Sequence, residues 1–357
     1  MSKTTANSLI EWYLKNKRDL PWRHTSDPYK IWLSEIILQQ TRVEQGLPYY
    51  LKFVENFPTV AELAGASDDE IMKLWQGLGY YSRARNLLEA ARTITTQYHG
   101  EFPRTYEELL SLKGIGNYTA SAIGSFAFNL KTPVLDGNVF RFITRLYGID
   151  SPIDLAITRT SVMELLNEWM QSTAKPAALN QALMEFGAMQ CKPQKPNCAI
   201  CPFVHDCYAF KEERISELPV KGKAIKITKR YFHYFAFIKK PNTMYLRKRG
   251  AGDVWQGLYE MPMIETSKPI AINQLLRSEE YMKWVSNCRN IDFRSSKTVL
   301  HKLTHQHLSV TFYIVNIESP LNLENSSIFD IEINTVNTFA VPKVIETFLH
   351  DEQFKQH

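Results

Sequence analysis

The sequence predicts a multidomain protein: an all-α domain over residues 1–220, a basic linker at 221–228 and a smaller α+β domain over 229–357. Three observations carry this. Apolar residues recur at helical spacing through the first part, punctuated by Gly and Pro. After Pro219 the chain turns rich in β-formers, starting with YFHYFAFI at 231–238. At the change-over, ten Lys and Arg but no Asp or Glu fall between Leu218 and Gly252. A chain of 357 residues, 44% apolar and 22% charged, has ample material for two or three globular domains.

The elements follow in order. Stripes at Leu9, Ile10, Tyr13 and Leu14, and at Ile71, Leu74, Trp75 and Leu78, mark two helices. Further helices are expected at 83–98, 106–112, 118–128, 139–147, 162–170 and 178–189, with breakers at Pro58, Gly100, Pro103, Gly114, Gly116, Pro133, Pro152 and Pro176. The second part predicts strands at 231–238, 243–247, 298–300 and 308–315, and one helix at 270–285.

Composition excludes several classes. No apolar run reaches the ~18 residues that span a bilayer, so no membrane partner is expected. The N-terminus lacks an apolar signal segment, and a cytoplasmic protein is expected. Five cysteines are too few for a disulfide scaffold of this size. The net charge of +5 and the basic block suit a polyanion, or equally a solvated linker and strand face.

Four of the five cysteines are Cys191, Cys198, Cys201 and Cys207, spaced C-x6-C-x2-C-x5-C. With Pro193, Pro196 and Pro202 preventing regular helix, they can wrap one small inorganic centre. Thiolate chemistry alone leaves zinc and an iron–sulfur cluster both open.

Between two predicted helices, Gly114 and Gly116 allow a tight turn and close approach of backbone to a ligand. Amides there and in the next helix's first turn can face an anion. Two glycines between helices also serve as a plain turn. Glu35 sits inside the strongly apolar helical stretch IWLSEIIL at 31–38. If buried, it loses solvation and keeps its proton, as a general acid needs; the other reading is an exposed edge. Asp136 precedes the helix at 139–147, where it is either an N-cap or a second carboxylate.

The motifs accumulate in order: LPWR at 20–23, WLSEIILQQT at 32–41, GLGYY at 77–81 with RARN at 83–86, the glycine hairpin at about 105–128, LDGN at 135–138 and the cysteine loop at 191–207. Together they resemble the MutY family of the endonuclease III, or helix-hairpin-helix, superfamily of DNA glycosylases, densely over 7–220 and loosely over 229–350. The resemblance implies a monofunctional enzyme of base excision repair that removes adenine opposite 8-oxoguanine or guanine in duplex DNA. It implies a [4Fe-4S] cluster on the four cysteines, a DNA-phosphate grip by the hairpin, and a monomer. The C-terminal domain resembles the Nudix-like domain of this family; no Nudix box is present, so pyrophosphatase activity is not expected.

By the same resemblance, Glu35 is the acid that protonates adenine, and Asp136 stabilises the positive charge on the sugar. Tyr118 and Asn138 support the sugar and Asp136. Arg23 supports the adenine pocket, Gln40 and Tyr80 wedge into the duplex, and Thr41 contacts the 8-oxoguanine. Leu303, Thr304 and His305 stand where the family carries a lesion-reading Phe-Ser-His loop; the aromatic is lost. On sequence alone Tyr80 also reads as a core residue, and His301, His305 and His307 as solvent-facing strand residues. Bifunctional relatives carry a Schiff-base lysine where this chain has Tyr118. An endonuclease III-like pyrimidine-lesion glycosylase would need that lysine. A non-catalytic iron–sulfur DNA-binding protein would not require both Glu35 and Asp136.

Overall fold

The computed structural model describes residues 2–222, 227–324 and 326–351. Of the predicted basic linker at 221–228, residues 223–226 lie outside the described residues, as do 325 and 352–357 of the predicted second domain. The first part is helical: α1 Ser2–Asn16, α2 Pro28–Leu38, α3 Val43–Asn56, α4 Val60–Gly65, α5 Asp68–Leu74, α6 Ser82–Gln97, α7 Tyr106–Ser111, α8 Asn117–Phe128, α9 Gly137–Tyr147, α10 Ala156–Gln171, α11 Pro176–Met189 and α12 Tyr208–Lys211. Then follow β1 Thr228–Lys239, β2 Thr243–Lys248, β3 Tyr259–Glu260, β4 Met263–Thr266, α13 Ile272–Leu275, α14 Glu279–Trp284, β5 Asp292–Lys302, β6 Gln306–Ile317, β7 Ile328–Glu332 and α15 Lys343–Leu349. No helix among the described residues is long and apolar enough to cross a membrane.

Contacts divide the chain into two compact units, Met1–Gly65 with Asn86–Lys223, and Ala66–Arg85 with Ala224–His357. The sequence places 66–85 with the helical part, but these residues pack with the sheet-bearing one. The reason is side-chain chemistry that periodicity does not report. Asp69 accepts from Lys248 Nζ at 2.6 Å and from Tyr259 Oη at 2.9 Å. Lys73 Nζ donates to the Phe339 carbonyl at 3.1 Å, and Gln76 Nε2 to Glu346 at 2.8 Å.

In the first unit the helix ends are set locally. Asp27 caps α2 ahead of Pro28, Thr105 caps α7, and Asp136 caps α9. Asn129 and Gly148 close α8 and α9 in the left-handed conformation. Helix α8 buries Thr119, Ala120, Ser121, Ala122 and Gly124, and these small residues let it pack closely on α2. A core of α1, α9, α10 and α11 includes Leu9, Ile143, Trp169, Leu183 and Phe186.

The second unit is built on a mixed sheet, ordered β3-β2-β1-β6-β5, with β4 also paired to β1 and β7 to β2. Strands β1 and β6 run parallel; the other pairs are antiparallel. Strand β1 is buried from Phe232 to Ile238 because both its faces are covered. Phe232, Tyr234, Ala236 and Ile238 join a core with α15, while Phe235 and Phe237 join another with α13 and α14. The helix predicted at 270–285 is therefore two short ones, the second restarted by the cap Ser278. Strands β3, β4 and β7 are too short to stand out as patterns.

Candidate active site

In the first unit, Glu35 on α2 is 6% exposed, so the edge-exposed reading fails. Its Oε2 accepts from Tyr118 Oη, on α8, at 2.6 Å. Burial lifts the Glu35 carboxyl to about 7, with Asp136 adding to the rise and Tyr118 and Arg23 opposing it. Burial likewise pushes the Tyr118 phenol well above its ordinary value, helped by Glu35 and Asp136, so it stays a donor.

Asp136 is the N-cap of α9 and also faces Glu35's cavity. Its Oδ1 accepts from Asn138 N at 2.9 Å and Val139 N at 2.7 Å, and its Oδ2 from Asn138 Nδ2 at 2.7 Å. The cap reading is therefore present in the fold, and the capping carboxylate lines the same cavity as Glu35. Burial raises the Asp136 carboxyl, while the three donors and Arg141 hold it down. Arg141 ties this cap to the cysteine loop: Nη2 donates to Asn138 Oδ1 at 2.9 Å and Nε to the Cys191 carbonyl at 2.8 Å.

A cavity of about 350 Å³ is lined by Glu35, Tyr118, Asp136, Asn138, Arg23, Arg18, Glu185, Thr41, Trp22 and Met184, among others. A wider groove of about 1020 Å³ shares Glu35, Tyr118, Asp136 and Asn138, and is also lined by Gln40, Thr41, Gly116 and Arg159. Gln40, with φ +54, is exposed. Thr41 Oγ1 donates to the Gln39 carbonyl at 3.3 Å.

Sequence reading missed Glu185. Its carboxylate, 1% exposed, accepts from Arg23 Nη1 and Nη2 at 3.0 and 2.6 Å, and from Arg18 Nε and Nη2 at 3.0 and 2.7 Å. Burial works against the charge, but these hydrogen bonds bring Glu185 down to about 2. The clue used for Glu35, an acid inside an apolar helical stripe, applies equally to Glu185. Arg23 is thereby oriented on the wall of the cavity.

The hairpin's two glycines differ. Gly114 has φ +75, and a Cβ there would stand 2.6 Å from Asn86 Cβ. Gly116 has ordinary extended backbone and no atom within 4 Å of a built Cβ. It leaves the N-terminus of α8 uncovered.

All four clustered cysteines line one cavity, with Phe142, Leu146, Phe186, Phe203, Phe210 and Ile215 as apolar walls. Arg145 Nη1 donates to Cys191 Sγ at 3.6 Å. Burial pushes the Cys201 thiol to about 11, and raises Cys198 and Cys207, with neighbouring cysteines adding to the rise. Among the described residues, no three His, Cys, Asp or Glu side chains form a group that could hold a metal ion.

The second unit holds the other predicted residues. Tyr80 is 47% exposed whereas Tyr81 is 7%, so the core tyrosine is Tyr81. Tyr80 Oη and Thr304 Oγ1 are hydrogen-bonded at 2.5 Å. Both line a cavity of about 580 Å³ with Arg85, Trp255, His301 and His305. Thr304 and His305 are exposed in the turn between β5 and β6. The expectation of three solvent-facing strand histidines is therefore corrected: His305 is in the turn, and His301 is half-buried against Trp255, ring centroids 5.6 Å apart.

Comparison with known proteins bears on this geometry. Residues 33–172 match the HhH-GPD superfamily of base excision DNA repair proteins, and 233–351 match the NUDIX domain. The adenine DNA glycosylase of Buchnera aphidicola (subspecies Schizaphis graminum) is 32% identical over 346 residues, 96% of each chain. The human adenine DNA glycosylase is 40% identical over 224 residues, 60% of this chain and 41% of that one. The solved structure of a thermostable thymine-DNA glycosylase superposes with TM-score 0.55 at 31% identity, covering 59% of this chain and 97% of that one.

Proposed function

The chain belongs to the adenine DNA glycosylase family and is a hydrolytic N-glycosylase of base excision repair; from this we propose that it removes adenine mispaired with 8-oxoguanine or guanine in duplex DNA, without a lyase step. The observation that carries the chemistry is the buried Glu35 held by Tyr118, beside an Asp136 held by three donors.

The adenine is unstacked into the Glu35 cavity, at a cost of a few kcal/mol. Glu35, with its pKa lifted to about 7, retains a proton at neutral pH and gives it to adenine N7. The protonated base becomes a better leaving group, and positive charge develops on the deoxyribose. Asp136, held by three hydrogen bonds against a burial that on balance raises its carboxyl, meets that charge as a carboxylate. Glu35, now ionised, takes a proton from the attacking water. Asn138 orients Asp136, and Arg23, fixed by Glu185, bounds the base pocket. Tyr118 has no amine to form a Schiff base, which supports a monofunctional reaction.

The N-terminus of α8, capped by Gly116 with open space beside it and reached through the turn at Gly114, suits a DNA phosphate. Gln40 and Tyr80 act at the duplex beside the mispair, and Thr41 at the opposite base. Cys191, Cys198, Cys201 and Cys207 would hold a [4Fe-4S] cluster. The donor set fits: the four cysteines line one apolar-walled cavity, and a thiolate-only ligand set suits an iron–sulfur centre. Such a cluster, when bound, supplies a cross-link of four thiolates.

In the second unit, Thr304 and His305 read the oxidised base. 8-Oxoguanine differs from guanine by an O8 acceptor and an N7–H donor, edges that a hydroxyl and an imidazole can meet. The test is single-turnover base release from a duplex with adenine opposite 8-oxoguanine against the same duplex with guanine. Faster release and tighter binding on the first are expected. The Thr304→Ala/His305→Ala double variant should shrink that preference about ten- to a hundredfold. Release from neither duplex by the unaltered protein would overturn the substrate proposal, and equal handling of both would overturn the reading of Thr304 and His305.

A further inference from the structure

Trp255 lies in the left-handed region, φ +61, a conformation that a bulky residue keeps only where its surroundings hold it. Those surroundings are an ion network on the preceding residues. The Asp253 carboxylate is gripped by Arg230 Nη1 and Nη2 at 2.5 and 2.7 Å and by Arg249 Nη2 at 2.6 Å, and it also caps Val254 N at 2.7 Å. Arg249 Nε donates to the Val254 carbonyl at 2.9 Å, and its Nη1 to the fully buried Glu260 at 2.7 Å. Beyond Trp255, Arg85 Nη1 donates to the Gln256 carbonyl at 2.7 Å. The loop is therefore pinned on both sides of one strained residue.

The strain aims the indole. Its ring stands edge-on to Phe232 of the core, centroids 5.9 Å apart at 74°, and to His301 of β5, 5.6 Å apart at 62°. His301 is paired with Leu308 across the β5–β6 ladder, one pair below Lys302 and His307. Above it the turn closes with Leu303 N donating to the Gln306 carbonyl at 2.8 Å, and Thr304 at its tip meets Tyr80.

We propose that Trp255 is a positioning residue for specificity: wedged between the core and His301, it sets the height of the β5–β6 turn and so brings Thr304 to Tyr80. This rests on the reading that the turn recognises 8-oxoguanine, and it places the discriminating geometry in a residue outside the turn.

The test uses the full chain with four substitutions. Trp255→Gly removes the ring while suiting the positive φ, Trp255→Phe keeps an aromatic, His301→Ala removes the contact from the turn's side, and Thr304→Ala removes the reader. The readout is the ratio of affinities for duplexes carrying 8-oxoguanine or guanine opposite adenine. Trp255→Gly, His301→Ala and Thr304→Ala should each lower the ratio by up to about tenfold, the range of one lost hydrogen bond. Trp255→Phe should retain most of it. Trp255→Gly added to the Thr304→Ala/His305→Ala double variant should lower the ratio no further, because Trp255 acts only through the turn that carries both readers. An unchanged ratio in Trp255→Gly, or losses that simply add, would overturn the inference while a loss in Thr304→Ala leaves the reading of the turn intact. An unchanged ratio in Thr304→Ala and in the Thr304→Ala/His305→Ala double variant would overturn that reading itself. If Trp255→Gly fails to fold, His301→Ala decides in the same way.

Discussion

Tyr118 Oη donates to Glu35 Oε2 at 2.6 Å across the α2–α8 packing, and that bond holds the acid in place while burial holds its proton. Two opposed effects meet here. The phenol favours the carboxylate, desolvation favours the acid, and desolvation wins.

A pH dependence follows with a definite sign. Base release requires protonated Glu35, so single-turnover excision should fall as pH rises through about 7. Glu35→Gln should abolish excision, at least 10²–10⁴-fold, yet bind mispaired duplex nearly as well. Stability moves too. The folded pKa of about 7 lies above the ordinary 4.5, so folding loses stability as pH rises between these values. Glu35→Gln should raise thermal stability at pH 8, by up to about 3 kcal/mol, and have little effect at pH 5. Parallel melting curves at both pH values would contradict the assignment.

Asp136→Asn separates charge from capping. Asparagine keeps an oxygen for Asn138 N and Val139 N, but its amide cannot accept from Asn138 Nδ2. A loss of about 1 kcal/mol in stability is expected, with most excision gone. Near-normal excision with that small loss would leave Asp136 as a cap alone.

Glu185→Gln leaves Arg23 and Arg18 sharing an uncharged partner in a buried place. Breaking such a network costs about 3–5 kcal/mol when fully buried, and less here because Arg18 is partly exposed. Since Glu185 is depressed to about 2, its contribution is present above the ordinary 4.5 and lost as pH falls toward 2. Urea unfolding at pH 7 and pH 3 should show the variant's deficit shrinking at the lower pH.

Anaerobically purified protein should carry four irons per chain and absorb broadly in the violet–blue. Cys198→Ser should lose both. One zinc per chain with no visible absorbance would refute the cluster.

The residues of the site were largely legible in the linear chain. An acid inside an apolar helix, a cap-like Asp-Gly-Asn, paired glycines and the C-x6-C-x2-C-x5-C spacing are local patterns, and local patterns survive in sequence because covalent spacing limits what neighbours can do. Helix positions were legible for the same reason, since a 3.6-residue stripe needs no partner to be seen. What only the tertiary structure decided concerns partners distant in the chain. Whether Glu35 was buried, and that Tyr118 is the group bonded to it, depended on α8 meeting α2 some eighty residues later. That 66–85 pack with the sheet depended on Asp69, Lys73 and Gln76 finding Lys248, Phe339 and Glu346. The ion pairs on Glu185 and the strained Trp255 were equally hidden, because hydrogen bonds and packing are made between side chains whose proximity no periodicity encodes.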